Sequence, residues 1–158
     1  MSTLTLQVQG DREVIVTRHF AAPPADVYRA HTEPELIQQW MLGPDGWTMP
    51  VCIMDARPGG ALRYEWSDGQ GGGFYLTGEI IELDPPHRIL HVERMHLPDP
   101  TPDNRVETTF TADGTGTRMV TRMTLPDRAT REAMLATGME HGMEASYVRL
   151  EERLAAAR

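Results

Sequence analysis

Six histidines, one cysteine and 23 carboxylates are the groups of this 158-residue chain that could carry acid–base, nucleophilic or metal chemistry. Three of the histidines, His87, His91 and His96, fall in one stretch, "HRILHVERMH". It reads as a strand, in which alternate residues share a face, so His87, His91 and Glu93 point the same way. A metal needs three or four donors within about 2 Å of one point. His87 and His91 are separated by roughly 13 Å along a strand and cannot share an ion. The spacing therefore gives no metal site, and these histidines read as surface or corner residues. His141 stands beside Glu140 and Glu144 and reads as solvated. His19 and His31 are isolated. If a polar wall group acts as acid or base, these two are the candidates, placed near the mouth of a cavity.

Nucleophiles are harder to find. Ser67 and Ser146 lack the Gly-x-Ser-x-Gly elbow that would expose and activate a serine. Cys52 sits in the apolar run "PVCIM" and reads as a buried, inert thiol. The glycines of "SDGQGGGFY" have no lysine and no following helix, so they make a hairpin rather than a phosphate loop. Asp55 can pair with Arg57, and Glu65 alternates against the apolar Leu62, Tyr64 and Trp66 and so faces solvent. No catalytic residue is assigned, and no cofactor is implied.

The methionines are more informative. Ten occur. Met119 and Met123 share one strand face, and Met139 and Met143 share a helical stripe. Methionine fills gaps in cores, and it also walls adaptable apolar pockets. Gly138 and Gly142 lie beside them, although glycine in a helix interior costs roughly 1 kcal/mol against alanine. Gly142 falls on the same stripe as Met139 and Met143 and removes volume where the sheet comes nearest. Gly138 lies to the side and suits a close contact.

The elements that must position these residues follow from periodicity. "REVIVTRHF" alternates as a strand, with Val14, Val16 and Phe20 on one face. Pro24 and Pro34 each open a short helix. Strands near 48–57, 61–67, 73–83, 87–96, 104–112 and 116–125 are joined by "RPGG", "SDGQGGG", "DPP", "PDPTPD" and "ADGTG". Pro126 stops the last strand, Asp127 is a plausible N-cap, and one helix is expected over 127–156. On it Leu135, Met139, Gly142, Met143, Ser146, Leu150 and Leu154 share a face, with Glu140, Glu144 and Glu151 opposite. The whole chain reads as one domain, with a core over about 12–156. Its fold class is α+β: a bent antiparallel sheet of about seven strands around a long C-terminal helix.

The totals exclude several roles. A net charge of −8, without a single lysine, repels polyphosphate, so nucleic acid is not an expected partner. No run approaches the roughly 20 apolar residues of a membrane span, and the start is no signal peptide, so a cytoplasmic location is expected.

Five pieces carry a resemblance: "FAAPPADVYRAHTEPELIQQW", "DARPGGALRYEW", "GEIIELDPPHRILH", "GTGTRMVTRM" and "GMEHGMEASYVRLEERL", in that order. They resemble the SRPBCC (START-like) superfamily, in the branch named after the activator of the 90-kDa heat-shock protein ATPase. The resemblance implies the helix-grip fold, whose sheet and long helix enclose a cavity. It departs from the common pattern at Trp40-Met41 and Gly142-Met143, where methionine replaces an aromatic residue and leaves a softer wall. The expected function is binding of a small apolar or amphipathic molecule. Tyr64, Trp66, Met119, Met139, Gly142 and Met143 would wall the pocket, with Trp40 near its entrance. The alternatives are a cavity enzyme of cyclase or hydrolase type and a chaperone-linked protein-interaction module.

Overall fold

The computed structural model describes residues 2–157. Two strands, β1 (Thr5–Gln9) and β2 (Glu13–Phe20), precede two short helices, α1 (Pro24–Thr32) and α2 (Pro34–Trp40). Six strands follow: β3 (Thr48–Met54), β4 (Ala61–Ser67), β5 (Gly73–Asp84), β6 (Arg88–His96), β7 (Asn104–Asp113) and β8 (Gly116–Thr124). The chain closes with α3 (Arg128–Leu135) and α4 (Met139–Ala156). The strands form one sheet in the order β1-β2-β8-β7-β6-β5-β4-β3, every neighbouring pair antiparallel. Register shifts at Thr48/Val51 and Ile80/Glu82 interrupt the ladder, the device by which a sheet bends.

The sheet has eight strands where periodicity predicts about seven. The addition is β1, which pairs Leu6 with Val16 and Val8 with Val14. It is an edge strand, and Val8 stays 54% exposed. Three of its five residues are Thr or Gln, so little apolar alternation marks it in the sequence.

The expected continuous helix over 127–156 is two helices. α3 begins at the Asp127 N-cap, whose Oδ1 accepts from the Thr130 amide at 2.7 Å. It ends where the Thr137 hydroxyl turns back onto the Met134 carbonyl and Gly138 takes φ +71°. That left-handed conformation is natural to glycine and costs other residues roughly 1–2 kcal/mol. Gly138 is therefore the joint between two helices, not a gap inside one.

One face of the sheet is apolar. Val14, Val16 and Phe20 of β2 are fully buried, as are Phe110 of β7 and Met119 of β8. Against this face pack Val27, Ile37 and Trp40 from α1 and α2, and Tyr147, Leu150 and Leu154 from α4. Phe20 meets Tyr147 edge-on, with ring centroids 5.6 Å apart.

The charged side of α4 is not simply solvated. Glu144 and Glu151, expected opposite the packed stripe, both reach Arg18 of β2, at 3.1 and 3.0 Å. Arg18 lies on the inner face, opposite Met119, and its side chain has no exposed surface. Its length lets it reach sideways to carboxylates on the helix flank.

Candidate functional site

Strand register places the polar residues of β6 inside the grip. Ile80 and Val106, both buried, stand on either side of His91, and Leu76 stands opposite Met95. His91, Glu93 and Met95 therefore project from the same inner face as this core. Glu93 lies between Gly78 of β5 and Asn104 of β7. A Cβ on Gly78 would run into the Val92 carbonyl, so only glycine lets β5 and β6 approach here.

Three polar groups converge at this point. His91 Nε2 lies 2.7 Å from Glu93 Oε1, and both side chains keep a little exposure, 16% and 21%. A carboxylate only accepts, so the ring nitrogen donates. Asn104 is 9% exposed, and its Oδ1 is buried with no hydrogen-bond partner. Leaving a buried acceptor unmatched costs about 1–3 kcal/mol. Two tyrosines border this group. Burial raises the pKa of Tyr64, and the nearby Cys52 and Glu93 charges add to the effect. Burial also pushes Tyr147 up to about 12, against opposing effects from Thr121 and Arg18. Both phenols stay neutral and protonated across the physiological range.

The surrounding wall is apolar and soft. Trp66, Met95, Met134, Leu135, Met139 and Met143 all pack against the core yet remain only partly buried.

The residues singled out from the sequence divide between core and rim. Trp40 is 2% exposed and donates its indole N–H to the Ala30 carbonyl at 2.9 Å. Met119 is buried between Arg18 and Phe110 in the ladder. Tyr64 is buried, and Trp66 donates to the Met41 carbonyl while stacking on Phe74. Met139 and Met143 are partly buried on α4. A Cβ on Gly142 would meet only Pro44 Cδ, at 3.9 Å, so this position borders the loop after α2. Ser146 and Arg149 bind that loop too, through the Gly43 amide and carbonyl.

The histidines fall out differently from expectation. His91, read as a surface or corner residue, faces inward, because the bulge at Ile80/Glu82 and the pairing with Val106 fix its side of the sheet. His31 is partly buried and packs against the aromatic core. Its ring sits 4.8 Å from Trp40 and 5.2 Å from Phe110, and Nδ1 bonds the Val27 carbonyl at 2.8 Å. Desolvation lowers its pKa to about 4, with the charge on His91 acting in the same direction. His19 stands at the surface, 3.8 Å from Asp113. Cys52 is half-buried, and its thiol is raised to about 11 by burial and by Glu35, which makes it a poor nucleophile at neutral pH.

Sequence reasoning missed Glu93 and Asn104, and with them the polar patch. The alternation of "RILHVERMH" did place His91 and Glu93 on one face. It could not say which face was inside.

Two open surface grooves lie elsewhere. One, of about 450 Å³, runs along Pro24, Asp84, His87 and Thr109–Ala112. The other, of about 210 Å³, lies on the outer face around Arg88, Arg105 and Arg122. Neither contains any residue of the inner polar group. Among the described residues no cluster of three or more His, Cys, Asp or Glu could hold a metal, and no helix is long and apolar enough to cross a membrane.

An open antiparallel sheet closed by a C-terminal helix, with two short helices after the second strand, is a helix-grip fold. Residues 21–155 match the family described as activator of Hsp90 ATPase homolog 1-like protein, and the chain belongs to that family. A crystal structure of a protein from Rhodobacter sphaeroides is similar over 97% of this chain and 99% of its own, with TM-score 0.91 and 29% identity. Protein Ms6760 from Mycobacterium smegmatis is similar over 96% of both chains, with TM-score 0.85 and 23% identity. Protein NE0264 from Nitrosomonas europaea is similar over 96% of this chain and 99% of its own, with TM-score 0.81 and 24% identity. The last two likenesses concern the fold alone. No curated protein matches the sequence.

Proposed function

We propose that the chain, acting as one domain, binds a small amphipathic molecule between the inner face of the sheet and α4. The observation that supports this most is the His91–Glu93 pair beside the orphaned Asn104 Oδ1. Buried acceptors are matched in the large majority of native cores, and a carboxylate on an apolar face costs desolvation, so the two together on one patch point to a partner that supplies donors. A ligand with a polar end satisfies those groups, and the partly exposed methionines receive its apolar part. Met95, Met139 and Met143 join Tyr64 and Trp66 in that wall, with Met119 and Trp40 deeper behind it. Gly142 borders the loop that closes one side. The ligand-binding reading also accords with the family and its fold.

The enzyme alternative loses its first candidates. His31 is neutral at physiological pH, bonded to backbone and flanked by aromatic rings, and His19 is at the surface. A chaperone-linked role rests on the family description alone.

Native mass spectrometry of the protein purified from its own host tests the reading. A co-purifying molecule of a few hundred daltons, lost from Glu93→Gln and Met143→Ala, is the expected result. A second test uses 1-anilinonaphthalene-8-sulfonate on the folded protein. Bulky substitutions at Met139 or Met143 should then reduce probe fluorescence without changing the far-UV circular dichroism. Unchanged binding in all these variants would sink the proposed site.

A further inference from the structure

The polar end of the ligand can be specified from the groups that await it. This step rests on the binding reading above. Among the described residues, the charged groups on the inner face of the sheet are Glu93, paired with His91, and Arg18, already engaged by Glu144 and Glu151. Arg131, the remaining buried arginine, is turned to the Gly10 carbonyl and Glu132 at the β1–β2 turn. No arginine bonds Glu93 among the described residues. An anionic head would meet a carboxylate with no cation to spare. The buried acceptor left unmatched is Oδ1 of Asn104, which stands opposite Glu93 across β6 and β7, and Glu93 itself bonds only His91 among the described residues; the other unmatched buried atom, Arg131 Nε, belongs to the side chain that reaches the β1–β2 turn. His91 donates its Nε2 proton to Glu93 and offers no further donor from that nitrogen. Acceptors call for donors. An ammonium carries three N–H donors and the opposite charge to Glu93.

We infer that the inner site takes a primary amine with an apolar body, its ammonium held by Glu93 and Asn104 and its body against Met95, Met139 and Met143. The tyrosines sharpen this selectivity. Tyr64 and Tyr147 are held neutral by burial, so neither adds a charge of its own. A neutral alcohol could satisfy Asn104 but would bring no opposite charge to Glu93. A carboxylate ligand would add repulsion.

Isothermal titration of the full chain with 1-naphthylmethylamine, 1-naphthalenemethanol and 1-naphthoate tests this, because the three share one body and differ in head. The amine should bind at least about tenfold more tightly than the alcohol, the scale of a hydrogen bond to a charged group. The naphthoate should bind more weakly than either. Glu93→Gln keeps the shape and should bring the amine within about threefold of the alcohol. Asn104→Ala, which does not touch the carboxylate, should weaken amine and alcohol alike. If the alcohol binds and the amine shows no preference, or if the preference survives Glu93→Gln, the amine assignment falls and the binding reading stands. If none of the three binds, both fall together.

Discussion

Arg18 Nε lies 3.1 Å from Glu144 Oε1, and the same arginine reaches Glu151 at 3.0 Å, so one buried guanidinium on β2 holds two turns of α4. Glu144 Oε1 also accepts the Leu4 amide at 2.9 Å, which joins the segment before β1 to the same point. This cluster links the N-terminal strand, the sheet and the last helix. Its two carboxylates keep 24% and 21% exposure, whereas the arginine keeps none.

Removing the arginine should therefore cost more than removing either carboxylate. Arg18→Ala leaves two carboxylates facing an apolar strand, and a broken buried pair typically costs about 3–5 kcal/mol. Because the carboxylates here retain water, the lower end of that range is expected. Glu151→Gln keeps the Glu144 contact and should cost about 1 kcal/mol. Urea unfolding of the two variants checks the order, and equal losses would show that the cluster is not centred on Arg18.

His31 should make the protein acid-sensitive in a defined window. Its folded pKa is lowered to about 4 from an ordinary 6.5, chiefly by desolvation. The folded state thus binds fewer protons than the unfolded state between those values. Stability is unaffected above pH 6.5 and falls as pH drops towards 4, levelling off below. Each unit of pKa difference is worth 1.36 kcal/mol, so the loss is at most about 3 kcal/mol. His31→Leu should flatten the slope of unfolding free energy between pH 6.5 and 4. A slope equal to wild type would show that the ring ionises freely.

Gly138 and Gly142, similar in sequence, should respond in opposite ways. Gly138 has φ +71°, so Gly138→Ala should destabilise by about 1 kcal/mol or more. Gly142 is inside α4, and a Cβ there meets nothing nearer than Pro44 Cδ at 3.9 Å. Gly142→Ala should stabilise by roughly 0.5–1 kcal/mol through helix propensity. Thermal melts that moved in the same direction for both would contradict the break at Gly138.

Most of the fold was legible because its signals are local. Alternation in β2 and β4–β8, the two helix-opening prolines and the turn residues between strands marked those elements to within a few residues. β1 was not legible, since an edge strand buries too little to need apolar residues. The helix break was partly legible. "ATG" carries a glycine at the position that ends helices, but the apolar stripe runs on past it and suggests continuity. The candidate site was legible only in its apolar wall. Met139 and Met143 share a helical face by spacing alone, whereas the inward direction of His91, Glu93 and Asn104 depends on pairing between three strands. A bulge at Ile80/Glu82 alters that pairing, and nothing in the local sequence announces it. Arg18 was not singled out, for a related reason. Alternation puts it on the face of Val16 and Phe20, but an arginine there looks like an exception until its partners on α4 are known.

Asn104 offers the most direct test of whether the inner face is shaped for a ligand rather than for stability. Its Oδ1 is buried without a partner, and its neighbours on the same face are Glu93 and, two residues on, Val106. If nothing occupies the site, this acceptor lowers stability by about 1–3 kcal/mol relative to a matched or apolar group. Asn104→Val removes it and adds a side chain of high strand propensity. The variant should therefore unfold at higher urea concentration, with a gain of about 1 kcal/mol, while binding of 1-naphthylmethylamine weakens. Stability gained as binding is lost is the usual behaviour of a position held for function. A variant less stable than wild type would mean that Asn104 has a partner within the folded chain, and the argument from an unmatched acceptor would fail.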